Sequence, residues 1–200
     1  MKSAGIILCG GQSKRMGAAK ATLPFGDEQL LQRVTRIVGS VVSPIVVVAS
    51  PDQSLPALPT EVLVAHDRHQ GQGPLEALAV GLSALPEASN IAFVTGCDIP
   101  LLRPAFIERM LALVDGYDAA IPEESNRFHP LCAAYRKAVL PRIETLLADG
   151  HRRMGFLIDS LSVRTVSPDE WKDVDSRSLS LRNVNNPADY REAVREAGFG

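Results

Sequence analysis

A glycine pair and two basic side chains follow the first short apolar run of the sequence. Gly10 and Gly11 stand directly after that run, and Arg15 and Lys20 come soon after them. Adjacent glycines let the backbone approach a ligand closely, and successive N–H groups in such a turn bind anions. Arg15 presents a planar guanidinium that matches phosphate oxygens, whereas Lys20 is a compact charge. This stretch favours a phosphate-binding loop, although its composition also suits a surface turn with solvated basic side chains.

Two aspartates occupy comparable positions after later apolar runs. Asp98 follows the run 91–95, and Asp67 follows the run 62–65. Because Mg2+ typically takes one or two protein carboxylates and completes its coordination with water and phosphates, Asp98 alone is enough to predict a magnesium site. Asp67 can accept hydrogen bonds from the N–H or O–H groups of a ligand. Each also has a structural interpretation, since Asp98 suits the turn that follows it and Asp67 suits a solvated loop.

Short apolar runs alternate with amphipathic stretches, and these elements must position the polar residues. Ligands of parallel sheets bind beyond the carboxyl ends of the strands, where the glycine pair and both aspartates fall. The alternation predicts an α/β fold, a three-layer α/β/α sandwich around a mostly parallel sheet. Strands are predicted over 4–9, 45–49, 62–65, 91–95, 119–121, 131–135 and 162–166. Helices are predicted around Val34, Leu78, Met110 and Ile143, and a last one from Asn186 and Pro187.

The composition describes an ordinary globular protein, predicted to form a single domain over residues 1–200. Of its 200 residues 46% are hydrophobic, and 21 Lys and Arg stand against 23 Asp and Glu. The net charge of -2 argues against a protein that coats nucleic acid. Three distant cysteines without CxxC spacing predict reduced thiols. Since there is neither an apolar run of about 20 residues nor a signal-peptide core, we expect a cytoplasmic protein without membrane contact.

Several motifs occur together in the order of a known family. The run LCGGQSKRMGAAKATLPFG resembles the signature of the MobA-like nucleotidyltransferases. Ala19 departs from the aspartate often found there, and Glu76 adds a carboxylate near the expected base site. The resemblance covers nearly the whole chain. Its further motifs are 73–75 (GPL), 97–100 (CDIP), 129–131 (HPL), 152–157 (RRMGFL) and 183–187 (NVNNP).

The resemblance implies a Rossmann-like sheet of the nucleotide-diphospho-sugar transferase type and a defined reaction. GMP is transferred from GTP to the terminal phosphate of molybdopterin or molybdenum cofactor, and pyrophosphate is released. Mg2+ is the implied cofactor. Cofactor-biosynthesis proteins or molybdoenzymes are expected as transient partners. In the wider family a Gly-Gly pair accompanies guanylyl transfer, so Gly10 and Gly11 predict GTP, with room for a purine beside the loop.

The resemblance also implies roles for individual residues. Arg152, Arg153 and Asn185 are implied to bind the acceptor, with Asn185 also near the metal. Taken without the family, the two arginines suit solvated side chains, and Asn185 suits a loop before the last helix. The implied catalytic residues are Arg15, Lys20 and Asp98, with Asp98 as metal ligand. The implied nucleotide-binding residues are Leu8, Cys9, Gly10, Gly11, Lys20, Asp67, Gly73 and Asp98.

Three other functions stay open on the sequence. A cytidylyltransferase acting on the same pterin would share the fold, the loop and the metal ligand. A nucleotide-responsive regulator would keep the fold without turnover, but the joint presence of Arg15, Lys20 and Asp98 argues against it. A nicotinamide-dependent oxidoreductase is disfavoured because the pattern GxGxxG is missing, as is the P-loop pattern GxxxxGK[ST].

Overall fold

The computed structural model of the protein describes residues 2–10, 19–67 and 73–199. Within these residues strands and helices alternate over most of the chain. The strands are β1 (Lys2–Leu8), β2 (Pro24–Phe25), β3 (Glu28–Gln29), β4 (Ile45–Ala49), β5 (Leu63–His66), β6 (Ser89–Gly96), β7 (Ala119–Glu124), β8 (Arg127–Phe128), β9 (Cys132–Arg136) and β10 (Val163–Val166). The helices are α1 (Leu30–Gly39), α2 (Pro74–Ala84), α3 (Pro104–Leu113), α4 (Leu140–Ala148), α5 (Met154–Ser160) and α6 (Pro187–Glu196).

One mixed sheet forms the middle of the fold, with the strand order β10, β7, β9, β6, β1, β4, β5. β1 pairs in parallel with both β4 and β6, and β4 pairs in parallel with β5. β9 is antiparallel to its two neighbours. β8 forms a short hairpin with β7, and β2 and β3 form a separate hairpin. The strands β6, β1, β4 and β5 therefore run side by side in the same direction.

The inner strands β1 and β4 of this sheet are buried on both faces, whereas Leu63 and Val64 of the edge strand β5 are exposed. In β1, Ile7 packs with residues of α1 and α3, whereas Ile6 and Leu8 pack with residues of α2, α4 and α5. β4 repeats the alternation, with Val47 on the first face and Val48 on the second. Burying an aliphatic side chain of this size contributes about 1.5–3 kcal/mol. Helices on both sides thus make a three-layer structure in which the buried stretches of β1 and β4 have no place for charged groups.

Helix α2 is the most deeply buried of the helices described. All of its residues from 75 to 82 are buried, because it lies between the sheet and the helices α4 and α5. The run includes Glu76, whose side chain is 7% exposed. α2 is also the longest, with 11 residues. In the part of the chain that the structure covers, no helix combines the length and the apolar character needed to cross a membrane.

The predicted three-layer α/β sandwich with a mostly parallel sheet is confirmed. The strand over 45–49 has the predicted bounds, and the run 91–95 lengthens to Ser89–Gly96. The predicted strand 4–9 is wrong at its end, because Cys9 lies beyond β1. Sequence patterns do not predict α5 or the β2–β3 hairpin, since α5 has 7 residues and the hairpin strands have 2 each.

Gly81 tests the packing of α2 on the sheet. A Cβ at this position would lie 2.6 Å from Ile6 Cγ2 and 3.2 Å from Val48 Cγ2. Because these are buried strand side chains, Gly81→Ala is expected to lower the free energy of unfolding by about 1–3 kcal/mol, measured by urea denaturation. Gly155→Ala in α5 is the control. Its Cβ would have no atom within 4 Å, so we expect a gain of about 0.5–1 kcal/mol. Equal effects of the two substitutions would contradict the packing.

Candidate functional site

Four neighbouring parallel strands end at one edge of the sheet. Asp98 comes closely after β6, Gly10 after β1, Ser50 after β4 and Asp67 after β5. The backbone pairing continues up to this edge, because the Asp67 N–H donates to the carbonyl of Ala49 at 3.0 Å. The carboxyl edge of a parallel sheet is where ligands bind in α/β folds. The structure therefore brings together several of the residues that the sequence predicts as a site.

A group of polar side chains surrounds Asp98. Lys20 Nζ donates to Asp98 Oδ2 at 2.7 Å and to Asn185 Oδ1 at 3.0 Å. Asn183 Nδ2 donates to the other carboxylate oxygen, Asp98 Oδ1, at 3.1 Å. The side chains of Lys20 and Asp98 are 19% and 17% exposed, so most of the ion pair is shielded from solvent. Three segments that are distant in the sequence thus converge on one carboxylate.

Buried neighbours hold these polar side chains in place. Ala21, next to Lys20, is fully buried in the core. The Val184 N–H donates to the Asp98 carbonyl oxygen at 2.8 Å, and the Val184 side chain is 1% exposed. Because neighbouring side chains of an extended segment point to opposite sides, the residues flanking Val184 face the carboxylate. The burial of one apolar residue therefore orients the two asparagines beside it.

The start of α6 fixes the backbone of Asn185. Asn186 Oδ1 accepts hydrogen bonds from the N–H groups of Ala188 and Asp189, at 2.8 and 3.0 Å. Asp189 Oδ2 in turn accepts from the N–H groups of Asn186 and Asn185, at 3.2 and 2.9 Å. This reciprocal capping satisfies N–H groups that the first turn of a helix leaves unpaired. The predicted helix start at Asn186 and Pro187 is confirmed, and it also orders a site residue.

Each site aspartate lies against a glycine at the end of a strand. A Cβ on Gly96 would lie 2.5 Å from Asp98 Oδ1, and a Cβ on Gly10 would lie 2.8 Å from Asp67 Oδ2. Neither position has room for a side chain while the carboxylate stays where it is. The Asp67 carboxylate thus lies where a side chain at residue 10 would be, and the prediction that Gly10 and Gly11 leave room for a purine stays a prediction, because Gly11 lies outside the described residues.

Asp67 presents a buried acceptor at this edge. Its Oδ1 is buried and has no hydrogen-bond partner among residues 2–10, 19–67 and 73–199. Burial raises the pKa of the Asp67 carboxyl above its ordinary value, the negative charge of Glu76 raises it further, and His66 acts in the opposite direction. Buried polar atoms of native proteins usually have a partner. The Asp67 oxygen is therefore suited to a ligand that carries N–H or O–H donors.

The backbone of Leu8 and Cys9 is engaged in the sheet. The Leu8 carbonyl accepts from the Cys97 N–H at 3.1 Å, and the Cys9 N–H donates to the Val48 carbonyl at 2.7 Å. Both side chains are buried in the core. Within the described part of the chain, no residue accepts a hydrogen bond from the Gly10 N–H. This peptide group is thus the first after β1 that a ligand can use.

The three cysteines are free thiols, and all of them are buried. A hydrogen bond with Cys9, together with complete burial, raises the pKa of the Cys97 thiol. Burial also raises the pKa of Cys132. Thiols with a raised pKa stay protonated near neutral pH and are poor nucleophiles. Cys97 is therefore unsuited to covalent catalysis, although it lies next to Asp98.

Gly73 and Arg152 meet at the start of α2. Gly73 has a φ angle of 87°, a left-handed conformation that favours glycine. A Cβ there would also lie 3.3 Å from the Arg152 carbonyl oxygen. The Arg152 Nη1 donates to the carbonyls of Leu147 and His151, at 2.8 and 3.0 Å. Arg152 is thus anchored at the end of α4, whereas the side chain of Arg153 is exposed.

The predicted acceptor-binding residues fall in two places. Asn185 contacts Lys20 beside Asp98, whereas Arg152 adjoins Gly73. Gly11 and Arg15, which the sequence also predicts as site residues, lie outside the described residues.

Sequence reasoning assigns no role to Asn183 or Gly96, although both adjoin the Asp98 carboxylate. The sequence does carry a signal for Asn183. It stands two residues before Asn185, and alternate residues of an extended segment share one side. No pattern reveals Gly96, since its contact depends on how the Asp98 side chain folds back. Asn183 could therefore have been found from the sequence, and Gly96 could not.

The oxygens around Lys20 suit a divalent cation. Asp98 Oδ2 and Asn185 Oδ1 both point to the Lys20 ammonium, so a positive charge already lies between them. Among the residues described, no group of three or more His, Cys, Asp or Glu side chains is arranged to hold a metal. One carboxylate and one amide oxygen nevertheless fit Mg2+, which takes its other ligands from water and substrate phosphates.

Comparison with known proteins points to one family. The sequence profile of the MobA-like NTP transferase domain matches residues 5–164. A probable molybdenum cofactor guanylyltransferase of Mycobacterium avium (strain 104) is 39% identical over 196 residues, which cover 96% of this chain and 94% of that protein. A protein of the same name from Mycobacterium tuberculosis (strain ATCC 25618 / H37Rv) is 38% identical over 190 residues, covering 92% and 90%. The crystal structure of molybdopterin-guanine dinucleotide biosynthesis protein A from Archaeoglobus fulgidus has the same fold, with a TM-score of 0.82 over 98% of both chains at 20% identity.

Asp67→Asn is expected to stabilise the protein near neutral pH. Since the pKa of Asp67 is raised above 3.8 in the folded state, the folded protein binds a proton more tightly than the unfolded chain. Its stability therefore falls as the pH rises from 3.8 through the raised pKa. Asparagine removes this decline, so the gain should be greatest above the raised pKa and should vanish toward acid pH. Urea denaturation between about pH 4 and pH 8 measures the difference. A gain that does not change with pH would contradict the buried charge.

Proposed function

Since the chain belongs to the MobA-like NTP transferase family, we propose that it is a molybdenum cofactor guanylyltransferase. It transfers GMP from GTP to the terminal phosphate of molybdopterin or its molybdenum-bearing form, and pyrophosphate leaves. The two relatives carry this activity in their names. The single observation that carries the proposal is the convergence of Lys20, Asp98 and Asn185 at the carboxyl edge of the parallel sheet.

Lys20 is suited to bind the phosphates of the nucleotide. An ammonium group has three N–H donors. In the described part of the structure Lys20 uses hydrogen bonds to Asp98 and Asn185, which leaves a third N–H for a phosphate oxygen. Holding the ammonium by two oxygens fixes its position before the nucleotide arrives. Arg15 is the second cation that we expect at the triphosphate.

The Asp67 carboxylate supports guanine as the base. Guanine carries the N1–H and N2–H donors side by side, whereas cytosine has an exocyclic amine without a neighbouring ring N–H. The buried Oδ1 of Asp67 lacks a partner in the described residues. The two adjacent N–H donors of guanine would pair with Oδ1 and Oδ2 at the same time. Leaving a buried acceptor unpaired costs about 1–3 kcal/mol. This difference favours GTP over CTP.

The segment that contains Arg152 and Arg153 is suited to the acceptor. Arg153 is exposed and can approach the acceptor phosphate, whereas Arg152 is held beside Gly73. Nearby, the Phe156 side chain is 43% exposed and its ring centroid lies 4.1 Å from that of His151. A flat pterin can stack on an exposed aromatic ring of this kind. Cations and an aromatic surface thus occur together in this segment.

The proposed transfer needs no protein nucleophile. An oxygen of the acceptor phosphate attacks the α-phosphorus of GTP, and a new P–O bond forms as the bond to the bridging oxygen of pyrophosphate breaks. Because the acceptor is ionised near neutral pH, the chain has to align two anions and reduce their repulsion. Lys20 does this by donating to the phosphate oxygens. Asp98 and Asn185 would also be the residues that hold a Mg2+, which would neutralise further phosphate charge, and the Lys20 N–H groups that now contact these oxygens would then be available to the phosphates.

The experiment that tests this function measures pyrophosphate release with GTP, CTP and ATP in parallel. Each reaction contains Mg2+ and a molybdopterin-bearing acceptor. Turnover with GTP alone is the expected result. A preference for CTP would instead identify a cytidylyltransferase, and nucleotide binding without turnover would identify a regulator. Omitting Mg2+ tests the metal separately.

Asp98→Asn is expected to lower kcat by about 10²–10³-fold, the usual cost of removing a group that stabilises charge at a reacting centre. Asparagine retains an oxygen that can accept from Lys20, so the fold should be preserved. Asp159→Asn, which changes an exposed carboxylate on α5, is the control and should leave kcat unchanged. Pyrophosphate release at saturating GTP measures the effect. Full activity of Asp98→Asn would exclude a role for this carboxylate.

Lys20→Ala is expected to lower kcat/KM for GTP by at least about 10²-fold, because the phosphates lose a cation in a site that is mostly shielded from water. Lys172→Ala is the matched control, since Lys172 also pairs with an aspartate, Asp169, at 2.6 Å but is exposed. Initial rates over a range of GTP concentrations measure both variants. Similar kinetics for Lys20→Ala and Lys172→Ala would contradict the proposed contact with phosphate.

A further inference from the structure

The hydrogen-bond ladder between β1 and β4 is interrupted at its carboxyl end. The register of the two strands places Cys9 opposite Ala49, and the Cys9 N–H still donates to the Val48 carbonyl at 2.7 Å. In a regular parallel pair the next bond would run from the Ser50 N–H to the Cys9 carbonyl. Instead the Ser50 N–H donates to Gln53 Oε1 at 3.2 Å, and Gln53 Nε2 donates to the Cys9 carbonyl at 3.0 Å.

The Gln53 carboxamide thus takes the place of one backbone hydrogen bond. A carboxamide carries a donor and an acceptor, as a peptide group does, so it can bridge an N–H on one strand and a C=O on the other. The Gln53 N–H also donates to the Ser50 carbonyl at 3.1 Å, and this turn holds the side chain near the strand end. The two strands can therefore separate at the site without leaving either backbone group unpaired.

This bridge fixes the peptide bond between Cys9 and Gly10. A trans peptide directs its C=O and its N–H to opposite sides. With the Cys9 carbonyl held by Gln53, the Gly10 N–H points away from β4, and none of the described residues accepts from it. The Asp67 carboxylate lies beside Gly10, since Oδ2 is 2.8 Å from the place of a Cβ there. A donor and an acceptor are therefore presented next to each other at the nucleotide edge.

We propose that Gln53 is a positioning residue for the nucleotide, because its carboxamide holds the Cys9–Gly10 peptide with the Gly10 N–H turned toward GTP. The inference rests on the proposed function, since GTP is the ligand. Without the carboxamide this peptide can rotate and turn its carbonyl toward the ligand. Gln53 itself does not touch the reacting atoms. Its loss therefore weakens nucleotide binding and leaves the transfer step unchanged.

Gln53→Met tests the inference, because methionine keeps the length of the side chain and removes both hydrogen bonds. We expect the KM and the Kd for GTP to rise about tenfold, the effect of losing one oriented hydrogen bond, while kcat stays within about twofold. Pyrophosphate release gives the kinetic constants, and titration calorimetry gives the Kd. The melting temperature of each variant is recorded to show that the fold is intact.

Gln32→Met is the matched control. The Gln32 carboxamide also bridges two backbone groups, since Oε1 accepts from the Gln29 N–H and Nε2 donates to the Ala57 carbonyl, both at 2.9 Å. It lies at the start of α1 and contacts none of the four strand ends. Gln32→Met should therefore lower the melting temperature as much as Gln53→Met does, with an unchanged KM for GTP.

Gln53→Glu gives a second readout, which a purely structural role would not move. A protonated glutamate donates its O–H to the Cys9 carbonyl and accepts from Ser50, as glutamine does, whereas the ionised form repels the carbonyl. The ratio of the variant KM to the wild-type KM should therefore decrease as the pH is lowered from about 8 to about 5. The wild type measured at the same pH values corrects for protonation of GTP.

The inference is overturned if Gln53→Met leaves the KM for GTP unchanged, if Gln32→Met raises it equally, or if the penalty of Gln53→Glu does not depend on pH. GTP binding and turnover by the wild type distinguish a failure of this inference from a failure of the proposed function. Wild-type turnover of GTP with unaffected Gln53 variants overturns the role of Gln53 alone. A wild type that neither binds nor turns over GTP overturns both.

Discussion

The burial of the inner parallel strands on both faces is the constraint on which the candidate site depends. Because helices cover both sides, strands such as β1 and β4 consist of apolar residues on either face. A charged side chain within them would lose its hydration and gain no partner. Charged groups next to these two strands lie beyond their ends, and four parallel neighbours bring the strand ends to one edge. Gly10, Asp67 and Asp98 meet there for this reason.

The ion pair between Lys20 and Asp98 shows how this edge is prepared for a charged ligand. A partly shielded pair loses solvation, and the loss is offset only when further hydrogen bonds satisfy both partners. Asn183 supplies one of these to the carboxylate, and Asn185 accepts one from the ammonium. The charges are thereby fixed before a nucleotide binds, so little reorganisation is left for the moment of reaction.

The fold and most of this edge can be predicted from the sequence, because both follow from local patterns. Apolar runs of strand length and helical spacing predict the layers, and the rule that ligands bind at strand ends is enough to select Asp67 and Asp98. The antiparallel direction of β9 cannot be predicted, since a strand buried on both faces has the same pattern in either direction. The cytoplasmic location, the protein partners and the role of Arg15 stay predictions.

The same strand-end rule, applied to β4, indicates Ser50 but not Gln53. The position of Gln53 depends on a turn that brings its side chain back between the ends of β1 and β4. The periodicity of apolar residues in the sequence does not indicate such a turn. The contact of Asp67 with Gly10 is concealed for a similar reason, because this carboxylate follows β5, two strands away in the sheet. Contacts between loops of different strands are thus the part of the site that a single sequence conceals.

Side-chain amides, which carry no charge, hold Lys20, Asp98 and the Cys9–Gly10 peptide bond in place at this site. Asn183 binds Asp98, Asn185 binds Lys20, and Gln53 bridges the two strands. Lys20 and Asp98 already form one ion pair, so a second carboxylate or a second lysine here would neutralise more of the charge that a triphosphate or a metal needs. An amide supplies both a donor and an acceptor with no net charge. The site can therefore be rigid while its charges stay available to the phosphates.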